Sequence, residues 1–189
     1  MEMKSDSRMK RTRKLYDWEI EEFTPVFGNT LDYARIRIHE CTPWPDWIDR
    51  LGRKLKGMPP PSGESHNAMT LGNHCYFPVQ LPEFLVPQDN PDSYKLDWLV
   101  HELTHSWQFQ HIGWKYLIKA LRAQFRDKEN AYEYGGADGL VKSRQKSIVF
   151  KQFNPEQQGN IVQAYYLRKR KEQDIEPWQP YIDDLKDTS

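Results

Sequence analysis

Three of the six histidines lie within eleven residues, at positions 101, 105 and 111. The first two enclose the motif HELTH, which runs from His101 to His105. Residues four apart share one helical face with their side chains about 6 Å apart. Two imidazoles in that arrangement can bind one metal ion at about 2.0–2.1 Å per bond. Glu102 would border the open side of the ion and accept a proton from a coordinated water. The motif therefore predicts a catalytic Zn²⁺ site with Glu102 as general base.

A catalytic zinc site also needs a third protein ligand if the fourth position is to hold water. His111 is one candidate, because HELTHSWQFQH fits the longer pattern HExxHxxGxxH except that Gln108 occupies the glycine position. Glutamine lacks the backbone freedom of glycine to bend the chain there. Families with that longer pattern also use a methionine turn downstream, whereas all five methionines here precede the motif. His111 therefore stays an alternative ligand.

A glutamate on a later helix is the other candidate for the third ligand. Glu156 lies in the first turn of a helix that Asn154 and Pro155 mark clearly as N-cap and first residue. Glu133 is an alternative third ligand, and it lies in a segment that is followed by glycines and predicted to be loop. We prefer Glu156 because a helix holds a ligand more rigidly than a glycine-rich loop does.

Further side chains could support catalysis around this site. Tyr132, Tyr134 and His111 are candidates for stabilising a transition-state oxyanion. Gln108, one turn beyond His105, is positioned to orient a metal ligand. A separate structural Cys2His2 zinc site is a weaker hypothesis, because the usual ligand spacing is absent; its members would be His39, Cys41, His74 and Cys75.

The surrounding pattern predicts an α+β fold, with strands first and helices after. Alternation predicts a half-buried strand over 31–40, and residues 69–77 predict a strand or a hairpin turning at Gly72-Asn73. Apolar residues at helical spacing predict three helices, over 45–56, 94–110 and from 155 onward. A further helical stripe covers 114–125, and 127–140 is predicted to be mainly loop.

Composition limits the classes of function. The chain has 189 residues with 27 basic and 27 acidic side chains, so a general electrostatic footprint for nucleic acid is absent. No apolar stretch approaches the ~20 residues that span a bilayer, and the N-terminal residues resemble no signal peptide. Two cysteines make no disulfide framework, so the chain is predicted to be cytoplasmic. Export by a specialised secretion system is kept as an alternative. We expect a basic flexible arm over 1–16, one domain over 17–175 and a C-terminal tail over 176–189, where Trp178 and Tyr181 dock on the body.

HELTHSWQFQ resembles the motif of the small HExxH zinc peptidase domains called minigluzincins. It is most similar to the metallopeptidase-like domain found with bacterial contractile injection and Rhs/Vgr systems. Residues 36–39 and 68–77 resemble that domain's upstream strands, and 156–162 resembles its glutamate helix. The similarity covers about residues 31–167. Gly159 stands where alanine is expected, and the interval from His105 to Glu156 is long for gluzincins.

The resemblance implies a zincin-like core, in which a small sheet packs on the motif helix and a glutamate helix lies below. It also implies that the strand over 70–77 borders a cleft where an extended peptide could pair. We therefore expect a zinc metallopeptidase that acts on a peptide or protein substrate. The alternative is a non-catalytic zincin-fold interaction module of a bacterial secretion or toxin system. A third class, nucleic-acid binding through residues 8–14, would require strongly salt-dependent binding.

Overall fold

The computed structural model describes residues 10–42, 68–115 and 133–187. This part of the chain is α+β, with one four-stranded sheet and five α-helices. The helix predicted over 45–56, most of the stripe over 114–125, and Tyr132 lie outside the described residues. Within the described part, no helix is both long enough and apolar enough to span a membrane.

The sheet has the strand order β1-β2-β4-β3. Its strands are β1 (Arg11–Arg13), β2 (Arg37–Glu40), β3 (Met69–Leu71) and β4 (His74–Tyr76). The inner strands β2 and β4 are parallel, and each outer strand is antiparallel to its neighbour. The hairpin predicted at Gly72-Asn73 is confirmed, and Gly72 has φ +66°, which favours glycine. It makes β3 an edge strand beside the motif helix.

The predicted strand over 31–40 is shorter in the structure. Ile36 and Ile38 are fully buried as the alternation indicated, but residues 33–35 form a 3₁₀ turn. The Asp32 carboxylate accepts a hydrogen bond from the backbone N–H of Ala34 and starts that turn. A local side-chain bond therefore replaces sheet pairing at the beginning of this segment.

The prediction of a flexible basic arm over 1–16 is wrong for the residues that the structure describes. Arg11–Arg13 pairs with β2 and forms the other edge of the sheet. The guanidinium of Arg13 is buried and lies 2.7 Å from a Glu19 carboxylate oxygen and 2.9 Å from one of Glu40. Glu19 belongs to helix α1 (Asp17–Phe27), whose apolar face includes the fully buried Phe23 and Phe27. Two buried acids hold this arginine in the fold because each needs a positive partner.

The motif lies on α2 (Tyr94–Ile112), which confirms the helix predicted over 94–110. Its apolar stripe is fully buried, and Gly113 ends the helix with φ +65°. The helix packs against β3 and β4 on one side and against α4 (Pro155–Arg170) on the other. It is therefore buried on two faces and crosses the centre of the domain.

The predicted start of α4 is confirmed. The Asn154 side chain accepts a hydrogen bond from the N–H of Gln157, and the Gln157 side chain accepts one from the N–H of Asn154. This reciprocal capping fixes the first turn, where Glu156 lies. Among the described elements, α2 and α4 form the most extensive contact.

Two helices differ from expectation. α3 (Gly136–Gln145) forms where a loop was predicted over 127–140; its two glycines lower helix propensity, but the fully buried Leu140 anchors it. α5 (Gln179–Lys186) lies in the predicted tail, and the predicted docking of Trp178 and Tyr181 is confirmed, since both are buried. Residues 176–187 are therefore part of the core rather than a separate tail.

Candidate metal centre

Three electron-rich side-chain atoms converge between α2 and α4. The Nε2 atoms of His101 and His105 are 3.2 Å apart, and an oxygen of Glu156 lies 3.5 Å from the first and 3.7 Å from the second. A tetrahedral ion with bonds of about 2.0–2.1 Å separates its ligand atoms by about 3.3–3.4 Å. The structure thus brings together the three residues chosen as ligands, at separations that fit one such ion. Within the described residues, no other group of three or more histidine, cysteine or acidic side chains converges in this way.

Glutamine oxygens orient both imidazoles. The Nδ1 atom of His105 lies 2.9 Å from Oε1 of Gln108, and Nδ1 of His101 lies 3.2 Å from Oε1 of Gln163. The amide of Gln108 has a fixed orientation, because its Nε2 donates to the Pro155 carbonyl and to Oε1 of Gln158. The Nδ1 of His105 is therefore a hydrogen-bond donor, and its Nε2 lies on the side of His101 and Glu156.

A positive charge would balance the buried carboxylate at this point. Burial alone would lower the pKa of His105, but the Glu156 carboxylate raises that pKa to about 9. Burial alone would raise the pKa of Glu156, yet the two imidazoles hold it far below its usual value. Without metal, a proton therefore supplies the positive charge that the carboxylate needs. A divalent ion would replace that proton, so the three residues form a group that could hold a metal ion.

The two histidines of this cluster differ in ring geometry from a second histidine pair, which lies on the sheet. On the solvent side of the sheet, His39 and His74 share a hydrogen bond of 2.9 Å, and their ring planes are inclined by 22°, with centroids 5.2 Å apart. In the cluster, the ring planes of His101 and His105 are inclined by 75°, and the ring centroids are 4.9 Å apart. Their Nε2 atoms are 3.2 Å apart. The two Nε2 atoms of the cluster also lie within hydrogen-bond distance of each other, but here a carboxylate oxygen of Glu156 lies within 3.7 Å of both.

The predicted Cys2His2 site is not formed. Cys75 is fully buried, and its sulfur lies 3.5 Å from the Ser106 hydroxyl beneath the sheet. Its β4 neighbour His74 points the other way and is exposed. Successive residues of a strand alternate between the two faces, so these two side chains cannot share an ion.

Gly159 provides the space that the His101 ring occupies. An ideal Cβ atom at position 159 would lie 2.7 Å from Cε1 and 2.9 Å from Nε2 of that ring. Both distances are far below van der Waals contact. Gly159, at the position where the resemblance leads us to expect alanine, therefore allows α4 to approach α2 at this separation.

The Glu102 carboxylate is held on the sheet side of α2. Its Oε2 accepts a hydrogen bond of 2.6 Å from the hydroxyl of Thr70 on β3. Glu102 is buried, and it lies close enough to His105 to contribute to the raised pKa of that imidazole. The side chain that follows His101 in the sequence is thus oriented by a strand, and its charge acts on His105.

The other predicted site residues lie elsewhere or make different contacts. The His111 ring stacks on Trp107 and shares a hydrogen bond of 2.8 Å with the Trp107 carbonyl, so the alternative with His111 as ligand is not formed. Glu133 is exposed, and it is its backbone carbonyl that accepts a hydrogen bond, from Gln157. The Tyr134 hydroxyl accepts a hydrogen bond from Nε1 of Trp178.

Sequence reasoning missed three residues that support the site. Gln163 lies seven residues after Glu156 on α4, so helical spacing could have indicated that the two share a face. Gln158 is buried and links Gln108 to the carbonyls of Phe150 and Phe153. Neither its role nor that of Thr70 has a local signal in the sequence, because each depends on packing between distant elements.

Comparison with known proteins finds one informative relative. No family model matches the chain, and no solved structure matches it. A type VI secretion system spike protein of Pseudomonas aeruginosa, VgrG2b, is 28% identical over 158 residues. The match covers 83% of this chain but 13% of that protein, so it concerns a small part of the relative. It agrees with the Vgr-associated context that the motif suggested.

Proposed function

We propose that the chain is a zinc-dependent metallopeptidase of the zincin type. The observation that carries the proposal is the convergence of two Nε2 atoms and one carboxylate oxygen on a single point. A fourth side chain, Glu102, belongs to the same helix and is held by Thr70. A site meant only for packing would not hold three electron-rich atoms of His101, His105 and Glu156 within 3.7 Å of one another in a largely buried location.

The chain's own residues supply binding, orientation and proton transfer. His101, His105 and Glu156 would hold the ion, and Gln108 and Gln163 would keep the two imidazoles in the ligating tautomer. Zinc at this position would lower the pKa of a coordinated water towards ~7 and polarise a substrate carbonyl.

Proton transfer falls to Glu102. Its carboxylate would take a proton from the attacking water and deliver it to the leaving amine. The hydroxyl of Thr70 holds one carboxylate oxygen at 2.6 Å, so the other oxygen is available for that work. Among the described strands, β3 lies at an edge of the sheet and carries Thr70, and an extended peptide could pair with it there.

The relative suggests the biological context. A spike protein of a type VI secretion system contains a region similar to most of this chain. We infer that the chain acts within such a secretion system and that its substrate is a peptide or a protein. The competing hypothesis is a zincin-fold module that binds a partner without cleaving it.

Zinc content and peptide-bond cleavage, measured together, test the proposal. The full chain is loaded with zinc and incubated with unfolded, alkylated proteins, and new N-termini are identified by mass spectrometry. Glu102→Gln should retain one zinc per chain and lose cleavage, whereas Glu156→Gln should lose zinc. Glu176→Gln, which changes an exposed acid, is the matched control and should behave as the unmodified protein.

Two results would contradict the proposal. One is cleavage by Glu102→Gln at the rate of the unmodified protein, because the general base would then be another group. The other is a zinc-loaded protein that creates no new termini but binds a partner, which would support the non-catalytic module.

A further inference from the structure

Two histidines meet on the solvent side of the sheet, away from the metal centre. Nε2 of His39 on β2 lies 2.9 Å from Nδ1 of His74 on β4. Their strand neighbours Ile38 and Cys75 are fully buried on the other face, where the Cys75 sulfur contacts Ser106 of α2. Successive residues of a strand point to opposite faces. The sheet therefore separates this histidine pair from the helix that carries the metal centre.

The ring of His39 is held from two directions. Its Nδ1 lies 2.9 Å from the hydroxyl of Thr12 on the neighbouring strand β1. The ring of Tyr76 stacks on it, with centroids 4.4 Å apart and planes inclined by 11°. When Nδ1 donates its proton to Thr12, Nε2 carries a lone pair, as a metal-binding imidazole requires. Burial, and after it the neighbouring His74, lowers the pKa of His39, which favours the neutral ring that a metal ion needs.

His74 supplies the second nitrogen and has room to adjust. Its side chain is exposed, and its Nδ1 now shares one proton with His39, so the ring can turn towards an ion that replaces this proton. The nearest cation in the strand register is Arg37, opposite His74. Its guanidinium donates to the carbonyls of Ala34 and Ile36 at 2.8 and 2.7 Å. This positive charge is therefore held at the backbone of its own chain segment.

The separation of the two nitrogens indicates the kind of ion. With metal–nitrogen bonds of about 2.0–2.1 Å, ligand atoms at a right angle are about 2.8–3.0 Å apart, whereas a tetrahedral ion separates them by about 3.3–3.4 Å. The observed 2.9 Å fits the right angle of a square-planar ion. That geometry is typical of Cu²⁺, which imidazole suits and which forms the strongest complexes among the divalent first-row ions.

We propose that His39 and His74 form a second metal site, which binds Cu²⁺ and leaves its remaining positions to solvent. The site is open rather than closed, because two protein nitrogens hold the ion at an exposed surface. Thr12 keeps the His39 ring in the ligating tautomer. This proposal is independent of the peptidase proposal, since it uses no residue of the metal centre.

Copper titration of the full chain tests the second site. The protein receives one equivalent of zinc and is then titrated with Cu²⁺ against a copper chelator of known affinity, while released zinc is measured. Copper should bind without zinc release, and its EPR spectrum should show two equatorial nitrogens. His39→Ala and His74→Ala should each weaken copper binding at least about tenfold, a difference of about 1.4 kcal/mol. His111→Ala, at an exposed histidine outside the pair, is the matched control and should bind copper as the unmodified protein does.

Three results would overturn the inference. One is copper uptake that only replaces zinc, because the ion would then lie at the metal centre. Another is an EPR spectrum with a single nitrogen, and the third is unchanged copper affinity in a folded alanine variant. Urea unfolding of both variants identifies any loss of folding. If His39→Ala is unstable because Thr12 loses its partner, the exposed His74 gives the deciding variant, and unmodified copper affinity in His74→Ala refutes the proposal.

Discussion

Replacing Gly159 by alanine should weaken zinc binding without weakening the zinc-free fold. The new Cβ would lie 2.7 Å from Cε1 of His101, whereas carbon atoms in contact are about 3.5 Å apart or more. The ring must therefore move by about 0.8 Å, well beyond the ~0.2 Å within which metal–ligand distances vary.

The two states of the protein should respond differently to this substitution. Without zinc, the ring of His101 can turn aside, and the removal of a helical glycine favours the fold by about 0.5–1 kcal/mol. With zinc, the ion and Gln163 hold the ring in place, so the clash destabilises the zinc-bound state. We expect the loss typical of disturbed ligand orientation, about 10–100-fold in zinc affinity.

Competition with a fluorescent zinc chelator measures the affinity, and urea unfolding with and without zinc measures the two stabilities. Ala164→Gly on the same helix is the matched control, because it should cost about 1 kcal/mol of stability and leave zinc affinity unchanged. Wild-type zinc affinity in Gly159→Ala would refute the argument, and so would an equal loss of stability with and without zinc.

Three further predictions concern the charges and amides around the core. Gln108→Leu should lower zinc affinity about 10–100-fold, because His105 loses its orienting partner. It should also destabilise the fold by about 1–3 kcal/mol, because buried acceptors lose their donor. Zinc titration measures the first effect, and urea unfolding measures the second. In zinc-free protein, the raised pKa of His105 contributes stability that is fully present below pH 6.5 and lost as the pH rises through 9. Urea unfolding in a chelator across that range should show the decline, and zinc affinity should rise over the same range as the proton leaves. Arg13→Met should cost about 3–5 kcal/mol in urea unfolding, since two buried carboxylates lose their partner.

Controls keep these three predictions specific. Gln173→Leu, at an exposed glutamine, should leave zinc affinity unchanged, and an equal loss there would remove the argument for Gln108. A stability that does not change with pH between 6.5 and 9 would show that Glu156 does not raise the pKa of His105. Arg144→Met breaks an ion pair that is 42% exposed on the arginine side and should cost at most about 1 kcal/mol.

Local patterns in the sequence were enough to predict the main elements of the site. The spacing of His101 and His105 placed both imidazoles on one face of a helix whose apolar stripe was plain in the sequence. Asn154 and Pro155 marked the start of the helix that carries Glu156. These signals are short-range, because helix periodicity and capping depend on neighbours within a turn or two. Prediction was weaker where the structure of a segment depends on a distant partner. Arg13 lies in a segment that was predicted to be a flexible arm, but it pairs with buried acids of the fold.

Sequence by itself determined which side chains could bind an ion and which helices would carry them. Only the tertiary structure decided that α2 and α4 meet with Glu156 opposite the two imidazoles, that His111 turns to Trp107, and that Gly159 leaves room for a ring. The physical reason is that ligation depends on angstrom-scale separations between residues some fifty positions apart. Those separations are set by side-chain packing across the whole core, and no local sequence pattern records them.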